Sequence, residues 1–497
     1  MNRISLPAGP FAPQAWFAVR HRMPLLFLVF VFLLGGGSRS DIASLPLLRG
    51  AAVLFACWAI TGMTRGNWRR IRTPLVLITL LILWTAIQLV PLPPETWQPM
   101  PGRETIVAID RMLGQPDIWR PISLTPSQTW NSLLALTVPL AAVLVAARMD
   151  GDDQGEMMFA IVGIATFSAL LGLFQILSGI GSAVYFYRIT DPVSMVGLFA
   201  NRNHHAFFLA IALLVAATLL RDELMRKRQR KIVQVGLTFA AIILTASVAL
   251  IGSRAGFAAG VVAFCIGYAV VGMAWSAGQA EQDGRRRDRR SSLPLAARWK
   301  KLVLYAPPAL LMLVLGVVLW LGTRTSAVAR FMGEGVADDL RVRAWPTVQS
   351  MIETYWLTGS GFGSFASVYK MFEPDALLQP SYFNHAHNDW TEALLTGGLP
   401  FVLIMLATFL WLGRAILAKG AQNLIKGYRG DVRLLVLAVT GLLAAASFTD
   451  YPLRVPSVQT VSIMLLLMIT YSRAGRAERQ VSGRRDRERD CDSGLRA

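Results

Sequence analysis

Two of the chain's five histidines stand in Asn384-His-Ala-His-Asn-Asp-Trp390, immediately before an apolar run. A neutral imidazole accepts a hydroxyl proton near pH 7, so His387, with His385 beside it, is a candidate general base. Asp389 or Glu392 is close enough in sequence to orient that imidazole or raise its pKa. Two other readings compete: histidines resting at a membrane interface, or zinc held by His-x-His and a carboxylate. The zinc reading lacks an obvious third ligand. A second group is Gly197-Leu-Phe-Ala-Asn-Arg-Asn-His-His-Ala206. Asn201 and Asn203 suit the cap of a helix, whose N-terminal amides with Arg202 would attract an anion. Capping alone is the simpler alternative. His204 and His205 are adjacent, and adjacent residues of a helix point apart, so they do not read as a metal pair.

Other cations are few enough to inspect singly. Arg254 lies in Ile251-Gly-Ser-Arg-Ala-Gly-Phe257, a short turn between two apolar runs. An ionisable residue at a membrane edge is a functional candidate, with an arginine snorkelling to headgroups as the alternative. Arg341 opens Arg341-Val-Arg-Ala-Trp345, where helical spacing puts Arg341 and Trp345 on one face. The following Gly359-Ser-Gly-Phe-Gly-Ser364 lacks the spacing and strand context of a dinucleotide loop and reads as a tight backbone bend.

The elements that must position these residues are membrane helices. Of 497 residues, 54% are hydrophobic and 16% charged, against roughly 25% charged in soluble proteins. A spanning helix needs about 20 mostly apolar residues. Twelve candidates follow, at roughly 23–38, 42–63, 73–93, 129–147, 157–179, 203–220, 232–250, 256–275, 302–322, 392–413, 433–448 and 457–472, the second containing Arg49. The expected fold is therefore an all-α integral membrane protein of about 12 transmembrane helices. The first run reads as an uncleaved helix, because no clear small-x-small cleavage site follows Gly35–Gly37. Two outer segments are long: 94–128, rich in Pro and Trp, and 323–391, a folded cap before the tenth span.

Net charge is +19, which by itself suggests nucleic acid. With both ends inside, however, the cytoplasmic segments hold 35 of the 49 Lys and Arg and 15 of the 30 Asp and Glu, a net of +20 that leaves −1 elsewhere. Basic charge is thus a topology signal with anionic headgroups as its partner. The runs Arg226–Lys231 and Arg285–Arg290 lack interleaved aromatics and read as inside loops. Three cysteines, none in a CxxC, exclude a disulfide framework. A secondary transporter or flippase would carry midplane carboxylates and repeated halves, and the expected spans have neither. A structural scaffold would not require arginines and histidines gathered at outer helix ends.

These groups, in this order, resemble the O-antigen ligase and polymerase superfamily: Gly197–Asn203, Ser253–Gly256, Arg341–Trp345 with Gly361–Phe365, His387–Asn388, and Asp450–Arg454. The resemblance covers roughly 195–455. It implies a polytopic inner-membrane glycosyltransferase with a periplasmic site, needing no nucleotide sugar, metal or other cofactor. The donor would be a glycan on a polyprenyl diphosphate, passed to a hydroxyl of a glycan or lipid A-core acceptor, commonly with inversion. His387 would be the base. Arg254 and Arg341, then Arg202 and Arg454, would face the diphosphate, with Asn201, Asn203, His385, Asn388 and Asp389 in support. The ligase-type pattern asks for Gly, Thr or Tyr three residues after Gly398, where this chain has Phe401.

The expected organisation is a cytoplasmic N-terminus at 1–22, transmembrane helices over 23–194, the ligase-like region at 195–455, a last helix at 456–472 and a basic cytoplasmic tail at 473–497.

Overall fold

The computed structural model describes residues 13–179, 182–286, 340–378, 383–418 and 431–471. Seventeen α-helices are described: α1 Pro13–Leu34, α2 Leu45–Thr61, α3 Arg65–Ile87, α4 Pro94–Trp97, α5 Glu104–Met112, α6 Pro126–Ala135, α7 Thr137–Arg148, α8 Gly151–Ser178, α9 Arg202–Leu224, α10 Lys231–Leu250, α11 Arg254–Arg286, α12 Leu340–Arg343, α13 Trp345–Tyr355, α14 Phe365–Phe372, α15 Asp389–Leu417, α16 Arg433–Ala446 and α17 Pro456–Tyr471. Among the described residues there is no strand, only an isolated antiparallel bridge between Leu92 and Arg120.

Among the described residues, six helices are long and apolar enough to cross a membrane: α3, α6 with α7, α8, α10, α11 through Ala277, and α15. Arg22–Leu34, Leu45–Thr61, Arg433–Ala446 and Pro456–Tyr471 are shorter and equally apolar. The chain is a multi-pass helical membrane protein. Eleven of the expected spans fall on these helices or on α9; the twelfth, 302–322, lies outside the described residues. Arg49, the charge inside the second expected span, is accommodated because its Nη1 donates to Asn131 Oδ1 at 2.7 Å on α6.

α9 is the axis. Every residue from His204 to Leu219 is buried, and α8, α10, α11 and α16 pack around it. A helix apolar all round has no face to give to water, so it occupies the centre. Leu209, Ile211, Leu213 and Leu214 join residues of α1, α2, α7, α8, α10, α16 and α17 in one core. Helix starts are fixed by side chains. Thr64 and Asn67 form a capping box on α3, and Asp150 and Asp153 form one on α8.

The two long segments expected outside the membrane are folded where described. In 94–128, Trp97 is fully buried and donates Nε1 to Ile118 O at 2.9 Å. Arg120 Nε meets Asp110 Oδ2 at 2.7 Å, and that guanidinium holds the Asp110 carboxyl below its usual range against the opposing effect of its burial. Within 340–378, α12, α13 and α14 build a separate small core from Val348, Met351, Tyr355, Phe365, Val368 and Tyr369, closed by Leu395 of α15. The expected single helical face for Arg341 and Trp345 is interrupted: a turn at Ala344 ends α12, and Pro346, which has no N–H to donate, starts α13 afresh. The Arg341 side chain lies outside the described residues.

Candidate active site

Three of the groups singled out in the sequence, those of Asn201, His387 and Asp450, converge where the starts of α9, α15 and α17 meet the end of α16. Asn201 caps α9, its Oδ1 accepting from Asn203 N at 2.7 Å. Asn203 does not share that job; its Nδ2 reaches across to Asp450 Oδ2 at 2.7 Å. Asn388 caps α15 by accepting from Trp390 N and Thr391 N at 3.0 and 3.2 Å. Trp390 Nε1 then donates to Ala444 O at 3.1 Å, tying that helix start to α16.

Asp450 is the centre of the cluster. It is fully buried. His387 Nδ1 lies 3.6 Å and His204 Nε2 3.8 Å from Asp450 Oδ1, ion-pair distances slightly longer than hydrogen bonds. Burial alone would push the Asp450 carboxyl up; the facing His204 and His387 hold it well below the ordinary carboxylate range. The rings of His204, His385 and His387 surround Tyr451, with centroids 5.1, 4.4 and 5.2 Å away. His387 also stacks against Phe383 at 5.6 Å. Its backbone has φ of 52°, the one non-glycine residue in the left-handed region among those described. Such a conformation costs about 1–3 kcal/mol and persists only where surrounding contacts impose it.

The carboxylates expected to orient His387 serve other partners. Glu392, buried, accepts from His385 Nδ1 at 3.0 Å and from Ala386 N at 2.9 Å, which fixes the loop carrying both histidines. Arg454 Nη1 meets the same Glu392 Oε1 at 3.0 Å, while its Nε lies 3.2 Å from Asp389 Oδ1. Asp389 is further held by Ser447 Oγ at 3.2 Å. Although burial opposes its charge, the two neighbouring carboxylates hold the Arg454 pKa above its ordinary value.

The remaining candidates sit apart from this contact set. Arg202 turns to Asp191 Oδ2 at 2.9 Å and Ser194 Oγ at 3.2 Å. Arg254 is the first residue of α11 and is exposed. His205, though adjacent to His204, points the other way as expected: Nε2 meets Ser168 Oγ at 3.0 Å and Nδ1 meets Met195 O at 2.8 Å, securing the Gly197 loop to α8. Among the described residues no three His, Cys, Asp or Glu side chains are gathered as metal ligands.

Asp450, Tyr451 and His204 were given no role at the site by the sequence reading, although the first two stand in its Asp450–Arg454 group. Asp450 had a signal: it is the one acidic residue between Arg433 and Tyr471. His204 and Tyr451 had none beyond adjacency to Asn203 and Asp450, because ring-on-ring packing leaves no spacing to read.

The glycine run does bend the backbone, with φ of 74°, 100° and 84° at Gly359, Gly361 and Gly363. It docks on a break in α15 at Gly398, φ 65° and ψ −168°. Pro400 cannot donate and Leu399 N turns to Leu357 O, so the carbonyls of Leu395 and Thr396 lose their helical donors, with Gly397 O beside them at the break. Each is satisfied from outside: Leu395 O by Ser360 N at 2.9 Å, Thr396 O by Gly361 N at 3.1 Å and Gln88 Nε2 at 3.0 Å, and Gly397 O by Trp84 Nε1 at 2.6 Å. Non-helical backbone at membrane depth requires such complete pairing.

No curated protein matches the chain. The model of a family described as O-antigen ligase matches residues 239–407, from α10 through the broken helix α15, with His385, His387, Asn388 and Glu392 inside the match and Asp450 beyond it. Over residues 239–407 this multi-pass helical membrane protein is thus similar to the O-antigen ligase family.

Proposed function

We propose that this protein is a glycosyltransferase of the ligase type, moving a glycan from a polyprenyl diphosphate to an acceptor hydroxyl at the periplasmic face of the inner membrane. The observation that carries this reading is His387, held in a strained backbone with Nδ1 against the buried Asp450 carboxylate and one fifth of its side chain exposed. In this arrangement Nε2 is the nitrogen that takes the acceptor's hydroxyl proton. The acceptor oxygen forms the new bond to the anomeric carbon as the bond to the diphosphate oxygen breaks. Asp450 stabilises the imidazolium that results, as a carboxylate behind a catalytic histidine does elsewhere.

The leaving diphosphate needs fixed cations where charge develops. Arg254 and Arg341 are assigned that part, since an arginine fork binds phosphate bidentately. Arg202 and Arg454 are closely paired with carboxylates. Their part is to brace the site.

His387→Ala and His387→Gln test the reading in a strain lacking the chromosomal copy. Glycan transfer should fall by about 10²–10⁴-fold with membrane insertion unchanged, and normal glycan attachment in either variant overturns the assignment of the base. Phe401, which packs edge-on against Phe362 at 5.6 Å, stands where a ligase-type pattern has a smaller residue or Tyr, so a polymerase of the same superfamily is the second reading. Gels of surface polysaccharide from the deletion strain separate the two. Lipid-linked long chains indicate lost ligation; single capped units indicate lost polymerisation.

A further inference from the structure

Far from the histidine cluster, the α2–α3 connection and the α7–α8 connection meet beside α17. A cavity of about 170 Å³ opens there, lined by Trp58, Asn67, Arg70, Arg148, Asp150 and Asp153 among others. A single water needs only about 10–15 Å³ of such space, so the cavity admits a much larger group. It lies at the turns that carry the basic segment Arg65–Arg72, at the ends of α2, α3, α7 and α8.

Its charges are few and positioned. Arg148 lies flat over the Trp58 ring, 4.2 Å from its centroid, and donates to Trp58 O at 3.0 Å. Arg70 lies over Tyr471 at 3.9 Å and donates to Ala147 O at 3.2 Å. Asp150 and Asp153, which line the same cavity, are locked by the reciprocal capping box at the start of α8. Two cations and two anions around one cavity sum to zero, an arrangement complementary to a ligand that carries both signs.

We infer that this cavity binds the headgroup of a phospholipid with a primary ammonium, its phosphate against Arg70 and Arg148 and its ammonium against Asp150 and Asp153. A purely anionic headgroup such as that of phosphatidylglycerol brings the phosphate but no cation to face the two carboxylates. A choline headgroup has no N–H to donate to them. The Trp58 ring that a quaternary ammonium would seek already carries Arg148 on its face. Basic pockets between helices on the cytoplasmic side are a general mode of lipid recognition; the paired aspartates set the headgroup class here.

The full-length protein, delipidated in detergent and offered equal amounts of phosphatidylethanolamine, phosphatidylglycerol and phosphatidylcholine, tests this by native mass spectrometry. Phosphatidylethanolamine should be retained about tenfold over the other two. Arg70→Gln should abolish that preference. Asp150→Ser keeps an oxygen to cap α8 while removing the charge, so it should shift retention toward phosphatidylglycerol without lowering the melting temperature of the lipid-free protein by more than a few degrees. Equal retention of the three lipids overturns the proposal, as does an unchanged ratio in a folded Asp150→Ser. Soluble glycerophosphoethanolamine should not displace the lipid at equal concentration; displacement would reassign the site to a soluble zwitterion and overturn the lipid. None of these readouts depends on glycan transfer.

Discussion

Asp450 lies on a short connection between α16 and α17, and its neighbours explain why one carboxylate serves two histidines. Asn203 Nδ2 holds Oδ2, leaving Oδ1 to face His204 and His387. Asp450→Asn keeps the shape and removes the charge. Its expected effect is a fall of about 10²-fold in kcat with KM little changed, read from transfer assays across a pH series. Stability follows a separate rule. The folded-state carboxyl sits below its unfolded value, so its contribution is present above about pH 3.9 and is lost as pH falls through the lowered folded value. Thermal melts of the wild type and Asp450→Asn should therefore converge in strong acid, where both carry a neutral group at this position. His387 and Asn388 were legible because histidine is rare in this chain and each precedes an apolar run. The pairing of carboxylates was not, since proximity in sequence points to Asp389 and Glu392, while Asp450, some sixty residues on, meets His387 only in the folded chain.

At the scale of an element, α15 is two helices joined at Gly398. A Cβ at that position would lie 2.5 Å from Gly359 N and 2.6 Å from Thr358 C, both backbone atoms that cannot yield cheaply. Gly398→Ala combines this clash with a left-handed φ. It should lower stability by about 2–4 kcal/mol, seen as a reduced melting temperature in detergent. Gln88 supports the same break from α3's end, donating to Thr358 O and Thr396 O and accepting from Phe362 N at 3.1 Å. Gln88→Ala leaves those groups wanting and should cost about 1–3 kcal/mol by the same measurement. Gln88→Glu should cost at least as much, because it sets a buried carboxyl oxygen against two carbonyl oxygens in place of a donor. The sequence shows the glycines and Pro400 on either side of this joint. It cannot show that a loop near residue 360 and a helix end near residue 88 meet there, because those contacts join segments with no shared periodicity.

For the whole molecule, the division of charge between loops is the clearest sequence signal, and it predicts an orientation. A periplasm-active reporter fused at Gly114 should be active and one fused at Lys227 inactive; the reverse pattern overturns the topology. Apolar run length located most helices to within a few residues. It overestimated α16 only slightly, and it missed that α6 and α7 make one span of two pieces, as neither piece alone has the length. It also treated α9 as one span among twelve, whereas its neighbours wrap it completely. Burial of that kind is a property of what packs around a helix, not of the helix's own letters. The enclosure has a consequence for biogenesis. α9 leaves the ribosome long before α16, the helix that covers its remaining side, has been made. Until then His204 waits without the carboxylate that faces it in the finished protein. Chains interrupted before residue 450 thus lack the carboxylate of the proposed site altogether, so a chain released early cannot carry out the transfer proposed for the finished protein.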